Sequence, residues 1–321
     1  MLKFKPVPGK DEEPSLAGKC ILCEFCYNQC PMIPPDEKEL ESFIFGRSSK
    51  EDEPYGIYKG IYAVRAKNEE ILKVASDGGA VTAILAYGLS EGLLQGAAVA
   101  GVSKETPWKP VPLLARSFED LLKAAGTKYS VAPVLMAVAE GVDGYQLDRL
   151  ALVGTPCQIR AARKMQYAPR GALKYGSRIK LTIGLFCSKN FYYDKLIKEF
   201  VASKTDLSKV TKFAIKAGKF VVEAAGEKVV EVKIKEVSPY ARNNCEYCTD
   251  FAANLADLSA GNIDSPEGWS TVIVRTEVGE KFLKEAAEKG WIEIKPLEIG
   301  EGSLLYKLSS KKRTAREAKS G

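Results

Sequence analysis

"LALVGTPCQIRAARK", residues 150–164, runs from a short apolar strand, 150–154, into a helix that starts near Cys157, so a thiol sits where a strand ends. The same alternation spreads outward in both directions. "IYAVRA" (61–66) reads as a strand, "AVTAILAYGLSEG" (80–92) as a helix, "GAAVAGV" (96–102) as a buried strand and "FEDLLKAA" (118–125) as a helix. Downstream, "IKLTIGLFC" (179–187) predicts a strand that ends on another cysteine. Residues 210–237 alternate instead, which predicts two or three antiparallel strands. A last strand, "STVIVRT" (270–276), and a helix, "GEKFLKEAAEKG" (279–290), follow. The expected fold class is mixed α/β (α+β), with no internal repeat.

Residues 1–58 lack this rhythm. Pro31, Pro34 and Pro35 punctuate a cysteine-rich stretch, and Glu37 to Phe45 reads as a short helix. We therefore expect an N-terminal segment at 1–58, a main domain at 59–305 and a basic tail at 306–321. The tail, from Lys311-Lys312-Arg313 to Lys319, reads as a solvated helix end, with partner docking as the other reading.

Composition removes several classes of function. Histidine is absent, so there is no Cys2His2 finger, no histidine-ligated zinc or iron and no Ser-His-Asp triad. The start of the chain, Met1 to Pro14, is charged rather than apolar and does not read as a secretory signal. The apolar run from Gly79 to Val102 is broken by Tyr87, Ser90, Glu91 and Gln95, so no membrane span is expected. Eight cysteines in a chain read as cytoplasmic favour metal or redox chemistry over disulfides. The formal charge of +6 counts those cysteines as neutral thiols. Two four-iron clusters with four thiolates each, roughly −2 apiece, would bring it to about +2, which weakens any case for nucleic acid.

The cysteines divide into two sets. Cys20, Cys23, Cys26 and Cys30, followed by Pro31, have the bacterial ferredoxin spacing, in which short gaps turn several thiolates onto one cubane. Zinc sites usually pair two Cys-x2-Cys knuckles across a long loop, which this stretch lacks. In two-cluster ferredoxins the last cysteine serves the other cluster, so Cys30 is open to either assignment. The second set is Cys157, Cys187 and the pair Cys245 and Cys248 in "NNCEYCTD". Alone, Cys157 or Cys187 reads as a buried apolar thiol. The pair needs two more thiolates, and two cysteines remain. Two four-iron clusters form a wire for single electrons, and a flavin is the usual partner where a hydride enters or leaves.

With both sets, and with "SDGGAVTAIL" (76–85), "AAGTKYS" (124–130), "VGTPCQIRAARK" (153–164), "IGLFCSKNF" (183–191) and "CEYCTDFAANLADLSAGNIDSPEGWSTVIVRT" (245–276) in this order, the chain resembles the coenzyme F420 hydrogenase/dehydrogenase beta-subunit family. The resemblance runs from about Gly60 to about Leu305. It implies a flavoprotein core that binds FAD and a cubane and exchanges hydride with coenzyme F420, in an archaeal setting. It also implies a redox partner: a hydrogenase, a dehydrogenase, a heterodisulfide reductase-type subunit or ferredoxin. The hydrogenase beta-subunit pattern starts near the equivalent of Tyr58 and lacks the first motif, so that motif points toward the formate dehydrogenase and F420H2 dehydrogenase branches. Plant 7-hydroxymethyl chlorophyll a reductase is a further relative, and a stand-alone ferredoxin-dependent reductase is the rival redox reading. A zinc-stabilised binding module is the rival from another class.

No side chain is assigned as a catalytic acid or base. The expected FAD-binding residues are Ser76, Asp77, Gly78, Gly79, Gly126, Thr127, Lys128, Tyr129, Gly268, Trp269 and Ser270. Ser76 or Asp77 is expected to cap the following helix, while Gly78 and Gly79 open its amides to the FAD pyrophosphate or a ring carbonyl. Gly126 reads as a helix C-cap or a ligand turn. Lys128 is expected on phosphate or on the flavin edge that gains charge on reduction. Trp269 reads as either core or a stacking wall. Arg160, Arg163 and Lys164 either tune the charge of the cluster or substrate, or line a solvated helix face.

Overall fold

The computed structural model of the chain describes residues 2–7, 10–33, 37–167 and 172–314. Its strands are β1 (Leu2–Val7), β2 (Lys10–Leu16), β3 (Gly60–Ala66), β4 (Gly96–Val102), β5 (Pro110–Ala115), β6 (Leu150–Gly154), β7 (Ile179–Leu185), β8 (Val210–Lys216), β9 (Lys219–Ala224), β10 (Glu227–Lys233), β11 (Leu258–Gly261), β12 (Ser270–Val274) and β13 (Ile292–Pro296). Eight form one mixed sheet in the order β13-β3-β12-β11-β7-β6-β4-β5. The middle four, β11, β7, β6 and β4, run parallel, and the outer strands pair antiparallel.

Parallel strands need cover on both faces, and β6 shows how the sequence meets that need. All five of its residues are buried. Ala151 and Val153 join the cluster under helices Ala80–Ser90, Phe118–Ala124 and Glu277–Glu288, while Leu150 and Leu152 join the one under helix Pro156–Gln166. The continuous apolar run is thus half a core for each side.

A three-stranded antiparallel sheet, β10-β9-β8, stands apart with its own core of Phe213, Phe220 and Val222 against Phe191 and Leu196. In the N-terminal segment, helix Glu37–Phe45 forms as expected and sinks Leu40 into the main core, while β1 and β2 make a hairpin. At the other end, helix Leu304–Thr314 packs Leu305 against Tyr55, Ile61 and Phe251. Of the basic run at this helix end, Lys311 is exposed as expected, whereas Lys312 and Arg313 are half-buried because the helix is docked on the body; 315–319 lie outside the described residues. Pro34 and Pro35 lie outside them too. Among the described residues no helix is long and apolar enough to cross a membrane.

Candidate functional site

One edge of the large sheet gathers most of the chemistry. β6 and β7 are parallel neighbours with Gly154 opposite Gly184, so their C-terminal ends leave the sheet side by side. Cys157 opens the helix after β6, and Cys187 lies just past the end of β7. The strand at 179–187 thus stops at Leu185, short of the cysteine. Crevices outside the carboxyl ends of parallel strands are where such sheets place ligands.

Backbone pairing brings the other two thiols to this edge. Phe191 bridges to Ala241, and the Arg242 N–H donates to the Asn190 carbonyl at 2.8 Å. The Cys187 N–H donates to the Phe251 carbonyl at 2.9 Å, and the Asn190 N–H donates to Cys245 Sγ at 3.3 Å. Cys157 Sγ lies 3.2 Å from Thr155 Oγ1, and Cys248 Sγ lies 3.4 Å from the Asp250 carbonyl. Burial raises the Cys157, Cys187 and Cys248 thiols, and electrostatic coupling links all four cysteines of the set. Cys157 is nevertheless exposed, and it lines a cavity that opens to the surface. Among the described residues no three cysteine or acidic side chains enclose a single metal ion. The four thiols share a locality rather than one coordination point. Their number, their soft sulfur and an N–H aimed at one of them suit a multi-iron cluster.

A cation stands over this set that sequence reading missed. Lys312, from helix Leu304–Thr314, donates to the Cys187 carbonyl at 2.6 Å. Burial disfavours its charge, but Cys248, Cys187 and Asp250 outweigh that and raise its pKa. A lysine near a basic helix end looks solvated in sequence; only the docking of the helix reveals its target.

The cavity, of about 310 Å³, is lined by Pro31, Met32, Ile33, Cys157, Cys248 and Asp250, among others. It therefore separates the second cysteine set from the chain just after Cys30. Burial, then Glu37, pushes the Asp250 carboxyl up to about 6, and its Oδ1 has no hydrogen-bond partner. Across the gap, Lys164 Nζ donates to the carbonyls of Cys30 at 2.6 Å and Ile33 at 2.7 Å. Cys20, Cys23 and Cys26 are exposed.

The helix after Cys157 is not a solvated face. Lys164 is 2% exposed, and Arg163 pairs with Asp257 at 2.9 Å while donating to Thr182 and the Leu255 carbonyl. Burial opposes the Asp257 charge, yet Arg163, Thr182 and Thr276 hold its carboxyl below the usual range. Arg163 is thus a core tie, and Arg160 faces Glu37 at 3.9 Å.

The same edge holds the residues singled out for FAD. Ser270 pairs with Val64 near the end of β3, and Thr271 pairs with Gly261 at the end of β11. Ser76 Oγ accepts from the Thr127 N–H at 2.8 Å, which joins the turn at 76–79 to the loop at 126–129. Lys212 of β8 donates to the Ser76 carbonyl at 2.8 Å. Burial raises the Asp77 carboxyl, against Lys212, Lys216 and Asn262. Tyr129 is also raised by burial and couples to both Asp77 and Cys187, so this strip adjoins the second cysteine set. The Phe191 N–H reaches the Tyr129 carbonyl at 2.9 Å, and beside it the Ser130 hydroxyl is buried without a partner. Two lysines and an orphan hydroxyl beside a cysteine site fit an anionic, heteroatom-rich cofactor.

Several roles within that strip differ from expectation. The helix Ala80–Ser90 is capped by Gly79 with no side-chain hydrogen bond, since Ser76 is committed to Thr127. A Cβ on Gly78 would meet the Val64 carbonyl at 2.4 Å and the Ser270 nitrogen at 2.5 Å. Gly79 has φ +71, and a Cβ there would meet Ile71 at 2.8 Å. Both glycines are required by packing and backbone conformation. Gly126, at φ +82, follows the C-cap of helix Phe118–Ala124. Lys128 Nζ donates to the carbonyls of Ala124, Ala125 and Gly126, so its ammonium closes that helix end. Burial pulls its pKa down to about 8. Gly268 has φ +75, and its carbonyl takes a hydrogen bond from Arg65 at 2.7 Å. Trp269 is half-buried rather than core, with Lys295 over one face of its ring at 4.1 Å.

Family models place the chain. Residues 61–139 match the model for the N-terminal part of the coenzyme F420 hydrogenase/dehydrogenase beta subunit, and residues 147–299 match the model for its C-terminal part. Coenzyme F420 hydrogenase subunit beta of Methanothermobacter thermautotrophicus is 42% identical over 266 residues, covering 82% of this chain and 94% of its own. The coenzyme F420-dependent sulfite reductase of Methanocaldococcus jannaschii is 35% identical over 301 residues. That match takes 90% of this chain, which necessarily reaches into the first 58 residues, but only 45% of the reductase. In a solved F420-reducing [NiFe] hydrogenase complex from Methanosarcina barkeri, one chain superposes with a TM-score of 0.78 at 36% identity, over 84% of this chain and 94% of that one.

Proposed function

The chain belongs to the coenzyme F420 hydrogenase/dehydrogenase beta-subunit family, and from that premise we propose that it is an iron–sulfur flavoprotein exchanging hydride with coenzyme F420 and passing single electrons to or from a partner redox protein. The observation that carries this reading is the single sheet edge on which the second cysteine set, the turn at 76–79 and the loop at 126–129 meet. The reading assigns Cys157, Cys187, Cys245 and Cys248 to one four-iron cluster, and Cys20, Cys23, Cys26 and Cys30 to the other. Ser76, Asp77, Thr127, Tyr129, Ser270 and Lys212 would border the FAD. FAD converts between hydride and single-electron steps, and the clusters carry the single electrons.

The chain's own residues supply position and charge. Ser76 and Thr127 lock two loops together, and Lys212 fixes the turn from the small sheet. The Asn190 N–H and Lys312 place positive dipole and charge beside thiolates, which favours the added electron. Lys164 holds the Cys30 loop against the helix of Cys157, so the chain just after Cys30 shares a cavity with Cys157 and Cys248. Cys20, Cys23 and Cys26 lie outermost, which makes that segment the partner side. A hydrogenase, a dehydrogenase or a heterodisulfide reductase-type subunit would dock there, or ferredoxin would, in the cytoplasm. The first motif argues for the dehydrogenase branches, whereas 42% identity to a hydrogenase subunit keeps that role equally in play.

Anaerobic preparation tests the reading. We expect about eight irons and one FAD per chain, with the flavin bleached by reduced coenzyme F420. Four irons remove the outer cluster. Absence of flavin, or a flavin inert to reduced F420, removes the hydride reaction.

A further inference from the structure

Two lysines reach the cysteine segments from helices remote in sequence. Lys164 is 2% exposed and donates to the carbonyls of Cys30 and Ile33 at 2.6 and 2.7 Å. Lys312 donates to the carbonyl of Cys187 at 2.6 Å from the C-terminal helix. The contacts are separate: one lysine sits against the first set and one against the second. Lys164 follows Cys157 by seven residues, about 10 Å along the helix axis, and its ammonium donates to the Cys30 segment. Burial, then Arg160, lowers the Lys164 pKa while Cys30 opposes them, and Lys312 couples instead to Cys248 and Cys187.

We propose that Lys164 and Lys312 are positioning residues, one for each cluster, whose charges independently raise the potential of the cluster they touch. The proposal rests on the two-cluster reading above. A cluster that takes up an electron becomes more negative, so a neighbouring ammonium stabilises the reduced form more than the oxidised one. The Lys164 side chain is enclosed by protein, so its charge is screened less than one on an open surface. The two cations thereby set the relative potentials of inner and outer clusters, and with them the direction in which a single electron runs downhill. Neither lysine touches a hydride or a proton in transit. Each acts through the backbone and the field of a ligand segment.

The test is a redox titration of the anaerobically prepared full chain, followed by electron paramagnetic resonance. Iron and sulfide content of the wild type comes first: fewer than two clusters overturns the two-cluster reading, and this proposal with it. Given two clusters, Cys23→Ser identifies the outer transition as the one it removes. Lys164→Met should then lower the outer transition and leave the inner one in place, and Lys312→Met should do the reverse. Lys164→Arg and Lys312→Arg, which keep the charge, should restore both. If Lys164→Met fails to load the outer cluster, Lys164→Gln keeps a donor for the carbonyls without the charge, and it should lower the same transition. Two clusters with unmoved potentials overturn the proposal while leaving the electron-relay reading intact. So does a shift of both transitions by either single variant, or a shift that the Arg variants fail to restore.

Discussion

The two cysteine sets contain the same four ligands and are built in opposite ways. The first lies within eleven residues, Cys20 to Cys30, and its short helix Phe25–Gln29 buries no side chain. Ile21 and Leu22 beside it are 79% and 83% exposed. The second is drawn from residues 157, 187, 245 and 248, and the adjacent ends of β6 and β7 assemble it. Closing short gaps costs little chain entropy, so a contiguous motif can be appended to a finished body. Bringing thiols together across some ninety residues is affordable only because the sheet has already done so. One set is specified by local spacing, the other by the fold.

The largest effect should separate them directly. In anaerobically prepared protein, Cys187→Ser should cost on the order of 5 kcal/mol or more, because metal binding at a site spanning the fold is coupled to folding. Cys23→Ser should cost about 1 kcal/mol or less, a fall of about 2–4 °C or less in Tm. Calorimetry of the two variants checks this, and equal losses would break the contrast.

A second test asks whether the fold supports its cysteine set without metal. Arg163 and Asp257 form a buried pair on the scaffold that carries Cys157. Asp257→Ala leaves an uncompensated buried guanidinium, which typically costs about 3–5 kcal/mol. Urea unfolding of metal-free protein should show that loss, while Cys26→Ser in the same state should show almost none. A tolerant Asp257→Ala would mean that the body is held mainly by its cluster.

The turn at 76–79 lies on the folded-in side of the comparison. Valine at Gly79 must adopt φ +71 and displace Ile71. Gly79→Val should therefore lower global stability by about 1–3 kcal/mol and not merely weaken flavin binding. Thermal unfolding of flavin-free protein makes the distinction: an unchanged Tm would return Gly79 to the role of a ligand turn.

The same division explains what can be read in the sequence. The central strands are legible because β4, β6 and β7 are apolar runs covered on both faces, and the short helix at 37–45 stands out between prolines. β5 is hidden by Pro110 and Pro112, which an edge strand tolerates. β11 has four residues, too few for a period, and β13 alternates charges on the opposite edge. Both cysteine sets can be grouped by counting, since a thiol announces its chemistry. Lys164, Arg163 and Lys312 cannot be placed that way, because a long cationic side chain on a helix reads as solvated until its partner segment is known. For the same reason Lys128 reads as a ligand contact in sequence and closes a helix end in the fold.

The smallest predicted effect concerns the connection between the sets. Helix Glu37–Phe45 joins the exposed motif to the body, and Glu41 on it is 1% exposed. Its Oε2 accepts from the Ser49 N–H at 2.7 Å, while Oε1 has no partner. Burial raises its pKa, the Ser49 contacts and Arg313 opposing. Between the unfolded value near 4.5 and the raised folded value, the native state holds more protons than the unfolded one. Stability from this group therefore rises as pH falls through that window, and its cost is fully present only above the folded value. Glu41→Gln keeps an acceptor for Ser49 and removes the charge. It should stabilise the protein at pH 7 by about 1 kcal/mol at most, with the difference from wild type shrinking as pH falls and lost only below about pH 4.5. Urea midpoints of both proteins across that range check the sign. Should the variant prove less stable at pH 7, the carboxylate is clamped by Arg313 from the C-terminal helix, and the connection is part of the fold-specified half rather than a passive link to the appended one.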